Sequence, residues 1–106
     1  MSTSRITIEE SSHMTATLRH PDLAPAHPGA VIAEVLESSE MTKAELARQL
    51  GVTRAALYNV LQERSAVSAN LAVRFEAATG TSADLLVRMQ ASHDLWRARN
   101  AFKASA

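Results

Sequence analysis

The stretch LARQLGVTRAALYNVL, Leu46 to Leu61, repeats one pattern on both sides of a single glycine. Leu46, Ala47 and Leu50 share a helical face before Gly51, and Leu57, Val60 and Leu61 fall at i, i+3 and i+4 after it. Glycine is the residue that most readily ends a helix in the left-handed conformation. Immediately upstream, Thr42-Lys-Ala-Glu45 forms a capping box: the Thr hydroxyl accepts from the third helical amide, and the Glu carboxylate reaches back to the Thr amide. Thr53 is placed to cap the next helix. The pattern predicts one helix from Lys43 to the stop at Gly51, a tight turn, and a second helix from Arg54 to about Gln62.

Outside this stretch the same logic continues. Pro28 suits the first turn of a helix, where its missing N–H costs nothing. Ile32, Val35 and Leu36 then define a helix from Gly29 to about Ser38. Glu63 to Val67 reads as a loop. Ser68 caps a helix with Leu71, Ala72 and Phe75 inward, ended by Gly80, and Ser82 caps a last helix with Leu85, Leu86 and Met89 inward, running to about Phe102. The fold class is therefore all-α, a five-helix orthogonal bundle with a flexible N-terminal leader. Residues 1–27 form that acidic leader, rich in Ser and Thr and broken by Pro21 and Pro25, and residues 28–106 form the helical domain with an extended C-terminal helix. Ser12-His13-Met14 also reads as a cloning junction, with a natural start at Met14.

Composition narrows the function classes. Of 106 residues 46% are hydrophobic and 21% charged, as in soluble globular chains, and there is no cysteine for disulfides or thiolate metal sites. The absence of a secretory signal and of a membrane-length apolar run predicts a cytoplasmic protein with no membrane partner. Basic and acidic residues balance at 11 each, but unevenly. Up to Glu40 the chain has two basic residues, Arg5 and Arg19, against Glu9, Glu10, Asp22, Glu34, Glu37 and Glu40. From Met41 to Arg64 there are four basic residues and two acidic, and from Ser65 onward five and three. An acidic front precedes a mildly basic body, which allows two kinds of partner.

Two short helices joined by a glycine-containing turn describe a helix-turn-helix, whose second helix enters the major groove of double-stranded DNA by its N-terminal end. With Leu57, Val60 and Leu61 inward, Arg54, Ala55, Tyr58 and Asn59 remain on the opposite face. Arg pairs bidentately with guanine, Asn with adenine, and a small apolar side chain meets the thymine methyl. Thr42 and Lys43 at the start of the preceding helix, with its free amides, are placed for phosphates, and Arg64 is a second phosphate candidate. These residues, with Thr53, make the expected DNA-binding set.

The chain resembles the Xre-type, phage-repressor-like helix-turn-helix family and, within it, the HigA type of antitoxin. The resemblance runs from His27-Pro28-Gly29 through LARQLGVTRAALYNVL and SANLAVRFEAATGTSADLLVRMQASHDLW, about Pro28 to Trp96. Its antitoxin branch is carried by the Pro-Gly opening and by Gly-Thr-Ser followed by Gln90-Ala-x-x-Asp94-Leu-Trp96. The resemblance implies a repressor-like fold and a homodimer on a palindromic operator. It also implies repression of the chain's own operon and neutralisation of a HigB-like toxin, a small ribosome-dependent mRNA endonuclease. Lys43, Thr53, Arg54, Ala55, Tyr58 and Asn59 take the DNA-facing positions. Where that branch often has Phe-Trp-Leu in the last helix, this chain has Leu85-Leu86-Val87.

Other chemistry has little to stand on. His13, His20 and His27 recur at intervals of seven in the leader, and His93 is alone in the last helix, a spacing that holds no metal. No nucleophile motif or phosphate loop is present, so neither an enzyme nor a cofactor is expected. Leu86, Met89, His93 and Trp96 prolong an apolar stripe beyond what the other helices cover, and are expected at the dimer interface. Toxin contact is expected either from the acidic leader or from the ordered domain through Glu34 and Glu37. The alternatives are a stand-alone repressor without a toxin and, in a different class, a protein-interaction bundle with no DNA role.

Overall fold

The computed structural model describes residues 24–105, and the leader up to residue 23, with the junction at Ser12-His13-Met14, lies outside the described residues. Five helices follow one another: α1 Pro28–Ser38, α2 Lys43–Leu50, α3 Arg54–Leu61, α4 Ala69–Thr79 and α5 Ala83–Ser105. The all-α class and the helix order are as the periodicity predicts.

Local chemistry sets the ends. Thr42 Oγ1 accepts from Glu45 N at 3.1 Å while Thr42 N donates to Glu45 Oε1 at 2.8 Å, the complete capping box. Thr53 and Ser68 hydroxyls accept from Ala56 N and Leu71 N, and Ser82 Oγ accepts from Leu85 N. At the other end of α2, Gly51 adopts φ 71°, Val52 N donates to Ala47 O and Gly51 N to Arg48 O. Those two bonds satisfy carbonyls that the helix end leaves open.

Packing is pairwise. α1 lies against α3 and α5, α2 against α3 and α4, and α4 against α5. Phe75 of α4 is fully buried with Ile32 of α1, Leu46 and Leu50 of α2, Leu57 of α3 and Leu86 of α5, so every helix contributes to one core. A close approach joins α1 to α3: a Cβ at Gly29 would fall against the Val60 carbonyl oxygen, far inside van der Waals contact. Only a glycine lets the start of α1 come this close to the end of the third helix.

Four residues do more in the fold than their local sequence announces. His27, grouped by sequence with the leader, is buried and caps α1, its Nδ1 accepting from Gly29 N at 2.9 Å. Val67, in the expected loop, is part of the core, and its amide donates to Gln90 Oε1 at 2.7 Å. Gln90 in turn donates from Nε2 to Asp94 Oδ1 at 2.9 Å, one turn along α5. Arg74 of α4 donates to the Leu50 carbonyl at 3.0 Å, capping the end of α2 from outside. Leu85 departs from the expectation of an inward position, being 47% exposed. One step of 100° separates it from fully buried Leu86, and the buried face of α5 centres on Leu86 and Gln90.

Candidate nucleic-acid interface

The turn between α2 and α3 is held by three groups outside the face it presents. Gly51 gives the reversal, Thr53 caps α3, and Arg74 reaches over from α4 to the last carbonyl of α2. A Cβ at Gly51 would collide with the Arg74 guanidinium, so the turn and its brace are fitted to one another. The start of α3 is thereby fixed by local caps and by a side chain of α4, 24 positions on from the Leu50 carbonyl that it caps.

Beyond Thr53, α3 buries Leu57 and Val60 and leaves Arg54, Ala55 and Tyr58 exposed, with Asn59 half-buried. The Asn59 carbonyl accepts from Arg64 N at 2.8 Å and from Ser65 N at 3.3 Å, which draws the following loop back onto the helix end. That loop turns through Glu63, a non-glycine residue at φ 63°. The result places the Arg64 guanidinium carbon 5.8 Å from the centre of the Tyr58 ring, within range of a cation–π contact. The structure thus joins Tyr58 and Arg64, which the sequence offers as separate candidates.

At the start of α2, Thr42 and Lys43 are exposed. The Thr42 amide and hydroxyl are both engaged with Glu45, so the groups left for a ligand are the Lys43 ammonium and the open amides of the first turn. Hydrogen bonds from the Thr42 amide and hydroxyl hold the Glu45 carboxyl below its usual range, with a smaller contribution from Arg48. Glu45 therefore stays ionised, and the positive charge at this end of α2 is that of Lys43 alone on its own first turn.

Along α5 the expected apolar stripe divides. Leu86 has no exposed surface, while Met89, His93 and Trp96 are half-buried. The His93 ring stands edge-on to buried His27, with centroids 5.0 Å apart and planes at 80°, and Trp96 lies next along, its ring centre 6.3 Å from that of His93. Burial, and then the nearby His93, lower the His27 pKa below its ordinary value, against smaller upward pulls from Glu63 and Asp94. His93 Nδ1 and Trp96 Nε1 have no hydrogen-bond partner among the described residues. Leu85, Val87, Leu95 and Phe102 are exposed along the same helix. Among the described residues no helix is long and apolar enough to cross a membrane.

Comparison with known proteins fits this geometry. The helix-turn-helix family matches residues 32–86, which span α1 to the buried Leu86. The antitoxin HigA of Pseudomonas aeruginosa, solved with the higBA promoter, has a TM-score of 0.68 at 29% identity, covering 76% of this chain and 89% of that one. A further Pseudomonas aeruginosa structure, solved with 28 bp of operator DNA, has a TM-score of 0.67 at 28% identity, covering 76% and 90%. Virulence-associated protein A' of Dichelobacter nodosus is 33% identical over 72 residues. The match covers 67% of this chain and 63% of that relative, so the chain spans less than two thirds of the relative's length. On these matches and on the braced turn between α2 and α3, the chain belongs to the helix-turn-helix family, in its Xre-like form, with HigA-type antitoxins among its structural neighbours.

Proposed function

We propose that this chain is the DNA-binding antitoxin of a toxin–antitoxin pair: a cytoplasmic homodimer that represses its own operon on a palindromic operator and neutralises a HigB-like mRNA endonuclease. The observation that carries the reading is the exposed face of α3, with Arg54, Ala55 and Tyr58 beside Asn59, presented by a turn whose caps and brace leave that face unencumbered. In this reading α3 enters the major groove, Arg54 and Asn59 meet base edges, and Ala55 meets a thymine methyl. Lys43, the open first-turn amides of α2 and Arg64 face phosphates, Thr42 and Thr53 stand beside them as the caps of α2 and α3, and Tyr58 lies between base and backbone with Arg64 over its ring.

A dimer supplies the second half-site, and α5 is the helix suited to it. Met89, His93 and Trp96, with exposed Leu85 alongside, form the contact, and Leu86 supports it from the core. Two half-sites also offset the near-neutral charge of a single chain.

The test is binding to DNA from the chain's own promoter, with co-expression of the adjacent open reading frame scored for growth rescue. Arg54→Ala is expected to cost roughly 1 to 3 kcal/mol of specific binding and to relax base choice. Lys43→Ala is expected to weaken binding on all sequences alike and to lower the salt slope by about one ion. Unchanged affinity in Arg54→Ala removes the base-reading role. Operator binding without growth rescue leaves a stand-alone repressor, and no operator binding leaves an interaction bundle.

A further inference from the structure

A groove of about 800 Å³ opens between α1, the start of α2 and the end of α3, with Lys43 at its edge. Val31, Leu36, Met41 and Leu61 give it an apolar floor, and each of them also packs on the core beneath. Its rim carries three exposed carboxylates, Glu34 and Glu37 from α1 and Glu63 from the turn after α3, against the single cation of Lys43. Among the described residues the ion pair within contact distance is Arg88 with Asp84, on α5, so none of the three rim carboxylates is neutralised by a described side chain. Apolar surface that accepts a side chain, ringed by carboxylates that no described side chain pairs with, fits a basic polypeptide segment. The floor supplies affinity, and the rim supplies steering and selection.

We propose that this groove docks the toxin, through a basic segment that inserts an apolar side chain between α1 and α3 and sets Lys or Arg groups against Glu34, Glu37 and Glu63. The proposal rests on the antitoxin reading above. Two other occupants fit less well. The chain enters the described fold next to the groove, with Ala26 on its wall, but the 23 residues before Ala24 carry Arg5 and Arg19 against Glu9, Glu10 and Asp22. Their net charge has the sign of the rim. A second copy would bring Arg97, Arg99 and Lys103, and these lie on α5, the helix assigned to the dimer contact.

The experiment uses the full chain and, as probe, the co-expressed product of the adjacent reading frame, with affinity, operator binding and oligomeric state measured together. Glu34→Lys combined with Glu37→Lys is expected to weaken binding of that product by about 100-fold through like-charge contact. Glu63→Gly is expected to weaken it by about tenfold. Glycine suits the positive φ at position 63, so this variant should melt no lower than wild type and bind operator within about twofold. If the Lys variant misfolds, Glu63→Gly decides the matter alone. Affinity equal to wild type in both variants overturns the groove while the antitoxin reading stands. Failure of the wild type to bind the product overturns both. A variant that keeps the product but loses self-association identifies a second copy as the occupant and overturns the proposal.

Discussion

Gly29→Ala tests the close packing of α1 on α3. The added methyl would meet the Val60 carbonyl oxygen, and it would also stand 3.0 Å from His27 Nδ1, the atom that caps α1. A side chain at such a spot can rotate away, but a backbone oxygen in the last turn of α3 cannot move without its helix. Forcing an atom into a packed interior costs about 1 to 3 kcal/mol. The better helix propensity of alanine returns at most about 1 kcal/mol, and less at the second position of a helix. Since backbone rather than side chain is struck, the upper part of the first range applies, leaving a net loss of about 2 kcal/mol. For a domain of this size that lowers Tm by about 8 to 16 °C. Thermal and urea melts of the full chain measure it. Gly80→Ala is the control: position 80 has φ 83° and open space around the missing Cβ, so its cost is the backbone conformation alone, about 1 to 2 kcal/mol. A Gly29→Ala protein as stable as wild type would refute the reasoning, because α1 and α3 would then separate at no cost.

Two further outcomes follow from buried polar groups. Neutral His27 accepts the Gly29 amide, and burial lowers its pKa below the ordinary 6.5. Its contribution to stability is therefore complete above pH 6.5 and is lost as pH falls from there toward the lowered folded-state value. His27→Asn, which keeps a capping acceptor, should flatten the urea midpoint between about pH 7 and pH 5 relative to wild type, and equal slopes would show that His27 does not set the dependence. Gln90→Leu leaves the buried Val67 amide without its acceptor and should cost about 1 to 3 kcal/mol, with faster hydrogen exchange at that amide. Unchanged exchange at Val67 would mean that the bond to Gln90 does not hold the loop.

The helix limits were legible in the sequence because their causes are local. Thr42 with Glu45, Thr53, Ser68, Gly51 and Gly80 act within one turn of where they stand, and the helices begin and end at them. The exposed face of α3 was legible by subtraction, once Leu57 and Val60 were turned inward. What escaped was tertiary. Arg74 and Leu50 are 24 positions apart and Gln90 and Val67 are 23, so nothing near either polar side chain marks its partner. A signal did exist for Gln90, a polar residue on the Leu86 and His93 side of α5 with Asp94 four residues on. His27 was obscured by its neighbours, since a histidine before Pro-Gly reads as part of a linker until the cap and the His93 ring are seen. Leu85 shows the limit of periodicity beside a second leucine, where one residue of register decides which of the two is buried.

The brace from Arg74 to the Leu50 carbonyl separates two burdens that a small protein often loads on the same side chains. The α2–α3 turn is kept in place by Gly51, Thr53 and a residue of α4, and no side-chain hydrogen bond from Arg54, Tyr58 or Asn59 ties the outward face to the rest of the described fold. That face can therefore change its amino acids one at a time while foldedness stays nearly constant. A duplicated copy of such a gene can drift to a new recognition sequence through viable intermediates, without first passing through a chain that fails to fold.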